Sequence, residues 1–226
     1  MTGASRGIGR AIAERLAAAG ARVALVARAG EALEGAAAAA GGVAFPTDLA
    51  DAEAVHALAA RTREWAGGAP DVVVNSAGAF ELASLAETRT ASFDRQLAIN
   101  LRAPFLVIRA FLPEMLARGS GHIVTVGSIA GRQAFPHNGA YAASKFGVRG
   151  LHAVLDAEVR GSGVRATLVE PAATDTSLWD AIDAERHGPL PARTAMLPPA
   201  AVADAVAFAV TRPAEIDVRT ILLERA

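Results

Sequence analysis

Residues 1–20 read MTGASRGIGRAIAERLAAAG, and this stretch decides the fold class. Gly3, Gly7 and Gly9 are spaced G-x-x-x-G-x-G directly before an amphipathic helical pattern. Glycines there let backbone N–H groups approach a phosphate at a helix N-terminus, where the helix dipole favours negative charge. Such a turn lies between a strand and a helix in dinucleotide-binding sheets. The stretch therefore predicts a βα unit with a phosphate site.

The rest of the chain alternates between runs rich in Val, Ile and Leu and helical patterns. The predicted strands are 22–27, 42–46, 71–75, 122–127, 165–170 and 217–224. The predicted helices are roughly 8–19, 51–66, 91–117, 140–160 and 200–211. Near-continuous apolar strands are typical of a sheet covered on both faces. The alternation favours an α/β fold with a doubly wound, Rossmann-like parallel sheet, and we expect one domain over residues 1–226.

The first strand of that sheet is almost missing, because only Met1 and Thr2 precede Gly3. In a Rossmann-type sheet this strand is central and has a neighbour on each side. Losing about six buried side chains, at about 1.5–3 kcal/mol each, rivals the stability of a whole domain. We therefore expect a first strand truncated at the N-terminus, with about six or more native residues upstream. The alternative is a rearranged sheet that tolerates the loss.

Composition excludes several classes of function. The chain has no cysteine, so it has neither a disulfide nor a thiolate metal site, which suits a reducing compartment. Its net charge is −1 with both signs dispersed, which does not indicate a nucleic-acid partner. No apolar run approaches the ~18 residues that a membrane span needs, and no export signal is recognisable. We expect a cytoplasmic protein without a metal.

The end of strand 22–27, which is the second strand of the sheet if the truncated strand before Gly3 is counted, indicates the cofactor. An acidic residue there holds the ribose hydroxyls of NAD, whereas an arginine accommodates the 2′-phosphate of NADP. This chain has Ala27 followed by Arg28, and Arg6 lies inside the glycine turn. Two guanidinium groups suit one phosphate, so the sequence favours NADP(H). The alternative is that both are solvated surface arginines.

Tyr141 is the only tyrosine of the chain, and Lys145 is its only lysine. Residues four apart share one helix face. A tyrosine has a pKa near 10, so a tyrosine acting as a general base needs that pKa lowered, and a nearby cation does this. The spacing therefore predicts that Tyr141 is a general acid/base and that Lys145 lowers its pKa. A Y-x-x-x-K pair alone also arises by chance.

Two further polar residues stand out. Ser128 follows the strand 122–127, at the end of the sheet where ligands bind, and its hydroxyl suits a substrate oxygen. The alternative for Ser128 is a turn or helix-cap serine. Asn100 interrupts an apolar helical run, for which the alternative is a satisfied core amide.

Taken in order and spacing, six segments make the chain resemble the short-chain dehydrogenase/reductase family, from Thr2 to about Thr176. These segments are TGASRGIG (2–9), NSAG (75–78), INL (99–101), GSIAG (127–131), YAASK (141–145) and EPAATDT (170–176). The resemblance implies that Ser128 polarises the substrate oxygen and that Tyr141 transfers its proton. It also implies that Lys145 holds the nicotinamide ribose and lowers the pKa of the tyrosine, and that Asn100 orders a water in the proton relay.

The same resemblance implies a set of cofactor contacts. Asp48 matches the adenine contact of the family, with helix capping as its alternative. The expected cofactor-binding residues are Gly3, Ser5, Arg6, Gly7, Ile8, Gly9, Arg28, Asp48, Asn75, Ala77, Gly78, Tyr141, Lys145, Pro171, Thr174 and Thr176. One departure is Ala172, which stands where the family has glycine, so a positive φ there would be costly.

The resemblance implies an NADP(H)-dependent oxidoreductase that acts on a small carbonyl/alcohol pair, of the ketone reductase or hydroxy-acid dehydrogenase type. The alternative is a non-catalytic dinucleotide-binding homologue with a regulatory role. By the same resemblance, helices 91–117 and 140–160 form the interface of a homodimer or homotetramer.

The long segment 172–199 predicts a substrate loop, because loops of this length are uncommon without a function; an ordinary surface excursion is the alternative. Its apolar residues suggest a lid. These are Leu178, Trp179, Ile182, Met196 and Leu197. His137 is a candidate substrate contact, with a plain loop histidine favoured. Arg186 and Arg193 are candidates for a substrate carboxylate, with surface solvation favoured.

Overall fold

The computed structural model describes residues 1–182 and 190–226, so Arg186 and Pro189 of the expected substrate loop lie outside the described residues. The strands within the described ranges all pair in parallel. They are β1 (Ala24–Ala27), β2 (Val43–Pro46), β3 (Val72–Asn75), β4 (Gly121–Val126), β5 (Val164–Pro171) and β6 (Thr220–Leu223). The helices are α1 (Gly7–Ala18), α2 (Glu31–Ala39), α3 (Ala52–Ala66), α4 (Thr90–Leu97), α5 (Ala103–Arg118), α6 (Gly139–Val159) and α7 (Pro199–Val210).

The sheet has a gap at its centre, where the first strand was expected to be truncated. β1 pairs with β2, and the strands from β3 to β6 pair in chain order. Between β1 and β3 lie only Met1 and Thr2: the N–H of Thr2 donates to Val74 O over 2.9 Å, and the N–H of Val26 donates to Met1 O over 2.8 Å. β1 and β3 thus lie on either side of this short segment, and Met1, Thr2 and Ala4 supply its backbone hydrogen bonds to them.

Helices cover both faces of the sheet. Ile12 of α1 and Val206 of α7 are fully buried in one apolar cluster with the inner strands. On the other face, Leu58 of α3, Val107 of α5 and Leu155 of α6 are buried in a second cluster. This is the doubly wound arrangement that the alternating pattern predicted, and it brings the carboxyl ends of the parallel strands to one edge.

Two elements differ from the sequence prediction. Helix α2 was missed, because Gly35 and the run of alanines blur its periodicity. The expected helix 91–117 is interrupted by a π-helical turn, Ala98–Arg102, between α4 and α5. Pro104 follows this turn and has no N–H to donate to the preceding turn. π-turns of this kind are frequent at functional sites, and this one carries Asn100.

Candidate active site

The glycine turn packs directly against the segment that follows β3. Gly3 has a φ of +65°, and a Cβ atom there would stand 2.6 Å from Ala77 Cα. A Cβ atom on Gly9 would overlap the carbonyl oxygen of Gly3. On Gly7 it would meet Thr176 Cγ2 at 3.2 Å. The structure therefore brings together the three segments predicted to bind the cofactor, 2–9, 75–78 and 171–176, and the close contacts at these positions explain the glycines.

Thr2 ties the glycine turn to the segment after β3, a contact that the sequence analysis missed. Its hydroxyl oxygen accepts hydrogen bonds from the N–H groups of Ser76, at 3.0 Å, and Ala77, at 3.2 Å. Asn75 lies alongside with only 3% of its surface exposed. Neither polar atom of the Asn75 side chain has a hydrogen-bond partner within the described part of the chain. Buried amides are normally paired, so Asn75 has hydrogen-bonding capacity to offer a ligand.

The other expected cofactor contacts surround this cradle. Ser5 and Ile8 are half-buried in the glycine turn, Pro171, Thr174 and Thr176 are buried at the end of β5, and Gly78 follows Ala77. Arg6 and Arg28 are exposed, and neither guanidinium has an ion-pair partner in residues 1–182 or 190–226.

Asp48 is exposed, and its Oδ1 accepts the N–H of Ala50 over 2.9 Å. It therefore holds a local turn rather than capping a helix. The N-cap of α3 is Asp51, which accepts the N–H of Glu53 over 2.9 Å.

Ser128, Tyr141 and Lys145 come together at the carboxyl end of β4. Ser128 caps the 3-10 turn Ile129–Gly131, where its hydroxyl oxygen accepts the N–H of Ala130 over 3.1 Å. Tyr141 and Lys145 lie in the first turns of α6. Lys145 Nζ stands 5.5 Å from the centre of the tyrosine ring and donates to Val126 O over 3.1 Å. Ser128 thus caps the 3-10 turn and also lies next to Tyr141.

The pKa of Tyr141 corrects one sequence prediction. Burial raises it to about 12, and a hydrogen-bonding interaction with Ser128 opposes the rise. Burial also lowers the pKa of Lys145 to about 8. The lowering expected from Lys145 is therefore not seen in the protein alone, where loss of water dominates the shift and the ammonium group donates to Val126 O. The effect of Lys145 on the tyrosine with the cofactor bound stays a prediction. A phenol with this pKa is protonated at neutral pH and suited to donating a proton.

Asn100 is 1% exposed, and its side chain is fully hydrogen-bonded. Oδ1 accepts the N–H of Ala79 at 2.7 Å, and Nδ2 donates to Ala79 O at 2.8 Å and to Ser144 Oγ at 2.9 Å. The hydroxyl of Ser144 in turn donates to Tyr141 O over 2.7 Å. The satisfied-amide alternative is therefore correct for this side chain, which fixes the loop after β3 against the start of α6.

The backbone around Asn100 is different. A π-helical turn has more carbonyl acceptors than intrahelical donors, and Pro104 removes one more donor. Pro104 therefore cannot donate a hydrogen bond to a carbonyl group of the turn Ala98–Arg102. Both amide hydrogens of Asn100 are already used by Ala79 O and Ser144 Oγ, so the amide has no spare donor for a water.

An aromatic wall flanks the tyrosine, formed by Trp179, which was expected in the lid, and by Phe80, which the sequence analysis missed. The Phe80 ring packs edge-on against the Tyr141 ring, with 4.8 Å between centroids, and against the Trp179 ring, at 5.0 Å. The indole N–H of Trp179 donates to Thr174 O over 3.1 Å. The only sequence signal for Phe80 is its place two residues after the NSAG segment.

The two ends of the expected substrate loop are clamped together. The Arg193 guanidinium donates to Asp175 Oδ1 and to Thr176 O, both at 2.7 Å, and to Asp180 Oδ1 at 2.5 Å. Arg193 lies at the surface, with 39% of its side chain exposed, and its guanidinium is paired with these two carboxylates rather than free for a substrate carboxylate. Among the apolar residues expected in the lid, Leu178, Trp179 and Ile182 are half-buried, whereas Met196 and Leu197 are buried in the fold.

Backbone geometry corrects another expectation. Ala172 does not adopt a positive φ, so the cost expected for replacing glycine does not arise. Among the described non-glycine residues, the one with positive φ is His137, at 61°. Its carbonyl oxygen accepts the N–H of Ala83 over 2.8 Å.

The model of the family described as short chain dehydrogenase matches residues 1–187, which include the glycine turn and the Ser128, Tyr141 and Lys145 cluster. The chain belongs to the short-chain dehydrogenase family. As a member of this family, the chain is an oxidoreductase. Its sheet order and its glycine turn agree with that membership.

Three relatives are informative. The D-threitol dehydrogenase of Mycolicibacterium smegmatis is 43% identical over 80% of this chain and 72% of its own length. The glycine betaine reductase of Emericella nidulans is 36% identical over 99% of this chain, which spans only 18% of that much longer protein. A metagenomic short-chain oxidoreductase, solved in complex with NADP, is 36% identical with a TM-score of 0.84, covering 100% of this chain and 95% of that one.

Within the described residues, none of the helices has the length and apolar character to cross a bilayer. The same residues contain no group of three or more His, Asp or Glu side chains placed to hold a metal ion.

Proposed function

We propose that the protein is an NADP(H)-dependent oxidoreductase that interconverts a small carbonyl compound and its alcohol. The observation that carries the proposal is the convergence of Ser128, Tyr141 and Lys145 at the carboxyl end of β4. A hydroxyl, a phenol and an ammonium group at the ligand-binding edge of a parallel sheet suit proton transfer to a carbonyl oxygen.

The residues present fit NADP. The close-packed glycine turn offers backbone N–H groups at the N-terminus of α1 for the pyrophosphate. Asn75, in the segment packed against this turn, has buried polar atoms without a partner among the described residues, and the guanidinium groups of Arg6 and Arg28 suit a 2′-phosphate. The metagenomic relative was solved with NADP, which supports the same cofactor here. When bound, the nicotinamide would supply or accept the hydride.

The chain's own residues would handle the proton and the orientation of the substrate. Tyr141, whose phenol is neutral because burial raises its pKa to about 12, would donate a proton to the carbonyl oxygen during reduction. Ser128 would orient that oxygen through its hydroxyl. Lys145 would hold the ribose and attract the phenolate that forms. Carbonyl groups of the turn around Asn100 would hold a water that returns the proton.

The relatives support a small-molecule substrate. Two of them are named for a sugar alcohol and a betaine, so the ketone or hydroxy-acid type remains our proposal. In this chain, Phe80 and Trp179 wall one side of the tyrosine. We infer that one side of the substrate pocket is apolar.

We also infer a homodimer or homotetramer. Helices α5 and α6 contact each other and expose large apolar side chains, among them Phe105 (42% exposed), Phe146 (46%) and Val154 (55%). A second copy covering them would remove this surface from water. Light scattering after size-exclusion chromatography measures the state, and Phe146→Glu should shift it towards monomer.

The decisive experiment is a titration with NADPH and NADH followed by nicotinamide fluorescence, together with turnover on a panel of ketones, keto acids and alcohols. We expect preference for NADPH, and Arg28→Asp should reduce that preference by at least 10-fold, because a phosphate contact becomes a repulsion. Nucleotide binding without turnover on any member of the panel would favour the non-catalytic alternative and contradict the proposal.

A further inference from the structure

Glu170 is a fully buried carboxylate at the carboxyl end of β5, next to Pro171. Its side chain is 1% exposed. The proposed function gives this residue no role. Buried carboxylates are costly unless they are paired, so the partners of Glu170 show what its burial accomplishes.

Two arginines reach Glu170 from two different elements of the candidate active site. Arg132 places Nε at 2.6 Å and Nη2 at 2.5 Å from Glu170 Oε2. Arg149 places Nε at 3.5 Å from Oε1. Arg132 follows the 3-10 turn that Ser128 caps, and Arg149 lies one helical turn after Lys145 on α6. One carboxylate thus joins the segment that carries the serine to the helix that carries the tyrosine and the lysine.

The surrounding packing makes this junction tight. A Cβ atom on Gly131 would stand 2.7 Å from Lys145 O, so the serine turn and α6 touch backbone to backbone. A Cβ atom on Gly127 would stand 3.2 Å from Glu170 Cγ. Because there is so little free space, a shift of the glutamate side chain would be transmitted to both arginine-bearing segments.

We propose that Glu170 is a positioning residue that, through Arg132 and Arg149, holds the Ser128 turn in register with Tyr141 and Lys145 on α6. This inference rests on the proposed function, since it concerns the geometry of the same site. It predicts that the charge of Glu170, rather than its volume alone, is needed for the serine hydroxyl to reach the tyrosine.

The first test uses Glu170→Gln, which keeps the shape and removes the charge. We expect kcat to fall by about 10- to 100-fold, because small misplacements in an active site have effects of this size. The Kd for NADPH should change by less than kcat, because the glycine cradle is unchanged and Lys145 is one of several cofactor contacts. Asp156→Asn is the matched control. Like Glu170, Asp156 is a carboxylate paired with an arginine, in this case Arg219, but it lies on α6 three turns beyond Lys145. This control should lower the melting temperature and leave kcat within 2-fold.

A second readout does not need activity. The chain has one tyrosine, so protein labelled with ¹³C at tyrosine Cζ gives one resonance, which reports the environment of the Tyr141 hydroxyl. We expect Glu170→Gln to move this resonance in the same direction as Ser128→Ala, and Asp156→Asn to leave it in place. If Glu170→Gln does not fold, Arg149→Met and Arg132→Lys are measured in the same way.

The outcomes separate the two proposals. A turnover-competent wild type in which Glu170→Gln matches Asp156→Asn in kcat and in the tyrosine resonance overturns the positioning role and leaves the proposed function intact. A wild type without turnover overturns the proposed function, while the resonance still decides whether Glu170 sets the Ser128 and Tyr141 geometry. If the arginine variants leave the resonance in place, the positioning role is likewise wrong.

Discussion

The ammonium group of Lys145 lies 5.5 Å from the centre of the Tyr141 ring, yet it donates its hydrogen bond to Val126 O. The lysine is therefore anchored to the sheet as well as being close to the phenol. Both groups are desolvated, which raises the pKa of the tyrosine to about 12 and lowers that of the lysine to about 8. Each loses water, and in the protein alone this loss dominates both shifts.

The phenol should be indispensable for turnover and dispensable for nucleotide binding. Tyr141→Phe removes the proton donor and keeps the ring that packs on Phe80, so we expect kcat to fall by at least about 1,000-fold with the Kd for NADPH within about 3-fold. Steady-state kinetics and fluorescence titration measure the two quantities. An active Tyr141→Phe variant would show that another group transfers the proton.

Activity should decline as pH rises through the pKa of Lys145. Burial places this pKa at about 8, below the usual 10.5, so the ammonium form is lost from about pH 8 upward. Since the cation favours the developing phenolate, kcat/KM for carbonyl reduction should decrease tenfold per pH unit above this value. A pH–rate profile under saturating NADPH tests this, and a flat profile to pH 10 would contradict it.

The sequence predicted the fold because the information was local. Apolar runs and helical periodicity do not depend on distant residues, and the glycine turn marks a βα unit by itself. Helix α2 was missed where that periodicity is weak, around Gly35. The π-turn at Ala98–Arg102 was missed because it depends on how Pro104 changes hydrogen bonding inside an otherwise regular helix.

Residues of the candidate site that belong to sequence motifs could be predicted. Contacts between residues that are far apart in the sequence could not. Ser128, Tyr141 and Lys145 were identified and do converge. The direction of the tyrosine pKa was not predictable, because burial is a tertiary property. The clamp of Arg193 on Asp175 and Asp180 joins residues up to 18 positions apart, and no local pattern signals it.

The glycine turn should tolerate no side chain at position 9. A Cβ atom on Gly9 would overlap Gly3 O, so Gly9→Ala must displace the turn that approaches the phosphates. We expect NADPH affinity to fall by at least about 100-fold. Gly35→Ala is the matched control, because Gly35 lies on the exposed face of α2 and a Cβ atom there meets nothing within 4 Å. It should bind NADPH normally and gain about 0.5–1 kcal/mol in unfolding free energy.

Phe80 should set the size of substrate that reaches Tyr141. Phe80→Ala removes the ring that packs between Tyr141 and Trp179 and opens space beside the phenol. We expect the ratio of kcat/KM for a bulky aryl ketone to that for a small aliphatic ketone to rise by about 10-fold. Phe208→Ala, on the exposed side of α7, controls for loss of a phenyl ring and should leave the ratio unchanged. An unchanged ratio in Phe80→Ala would place the pocket elsewhere.

Two buried histidines should make the fold sensitive to acid. His122 Nε2 lies 2.7 Å from Thr167 Oγ1, and His152 Nδ1 lies 3.2 Å from Thr125 Oγ1. Burial lowers the pKa of each imidazole to about 4, from 6.5. Between about pH 6.5 and pH 4 the unfolded chain therefore binds more protons than the folded one, and stability falls as pH falls.

Urea denaturation at pH 7.5 and at pH 5 measures this loss. The drop in unfolding free energy should be smaller in His122→Asn, because one titrating group is removed, although this variant is less stable at pH 7.5. His56→Gln, at an exposed position of α3, should behave like the wild type. An equal drop in His122→Asn and wild type would assign the acid sensitivity to other groups. The difference between the two pH values, rather than the stability at either one, is the decisive quantity because it cancels the packing defect that the substitution introduces.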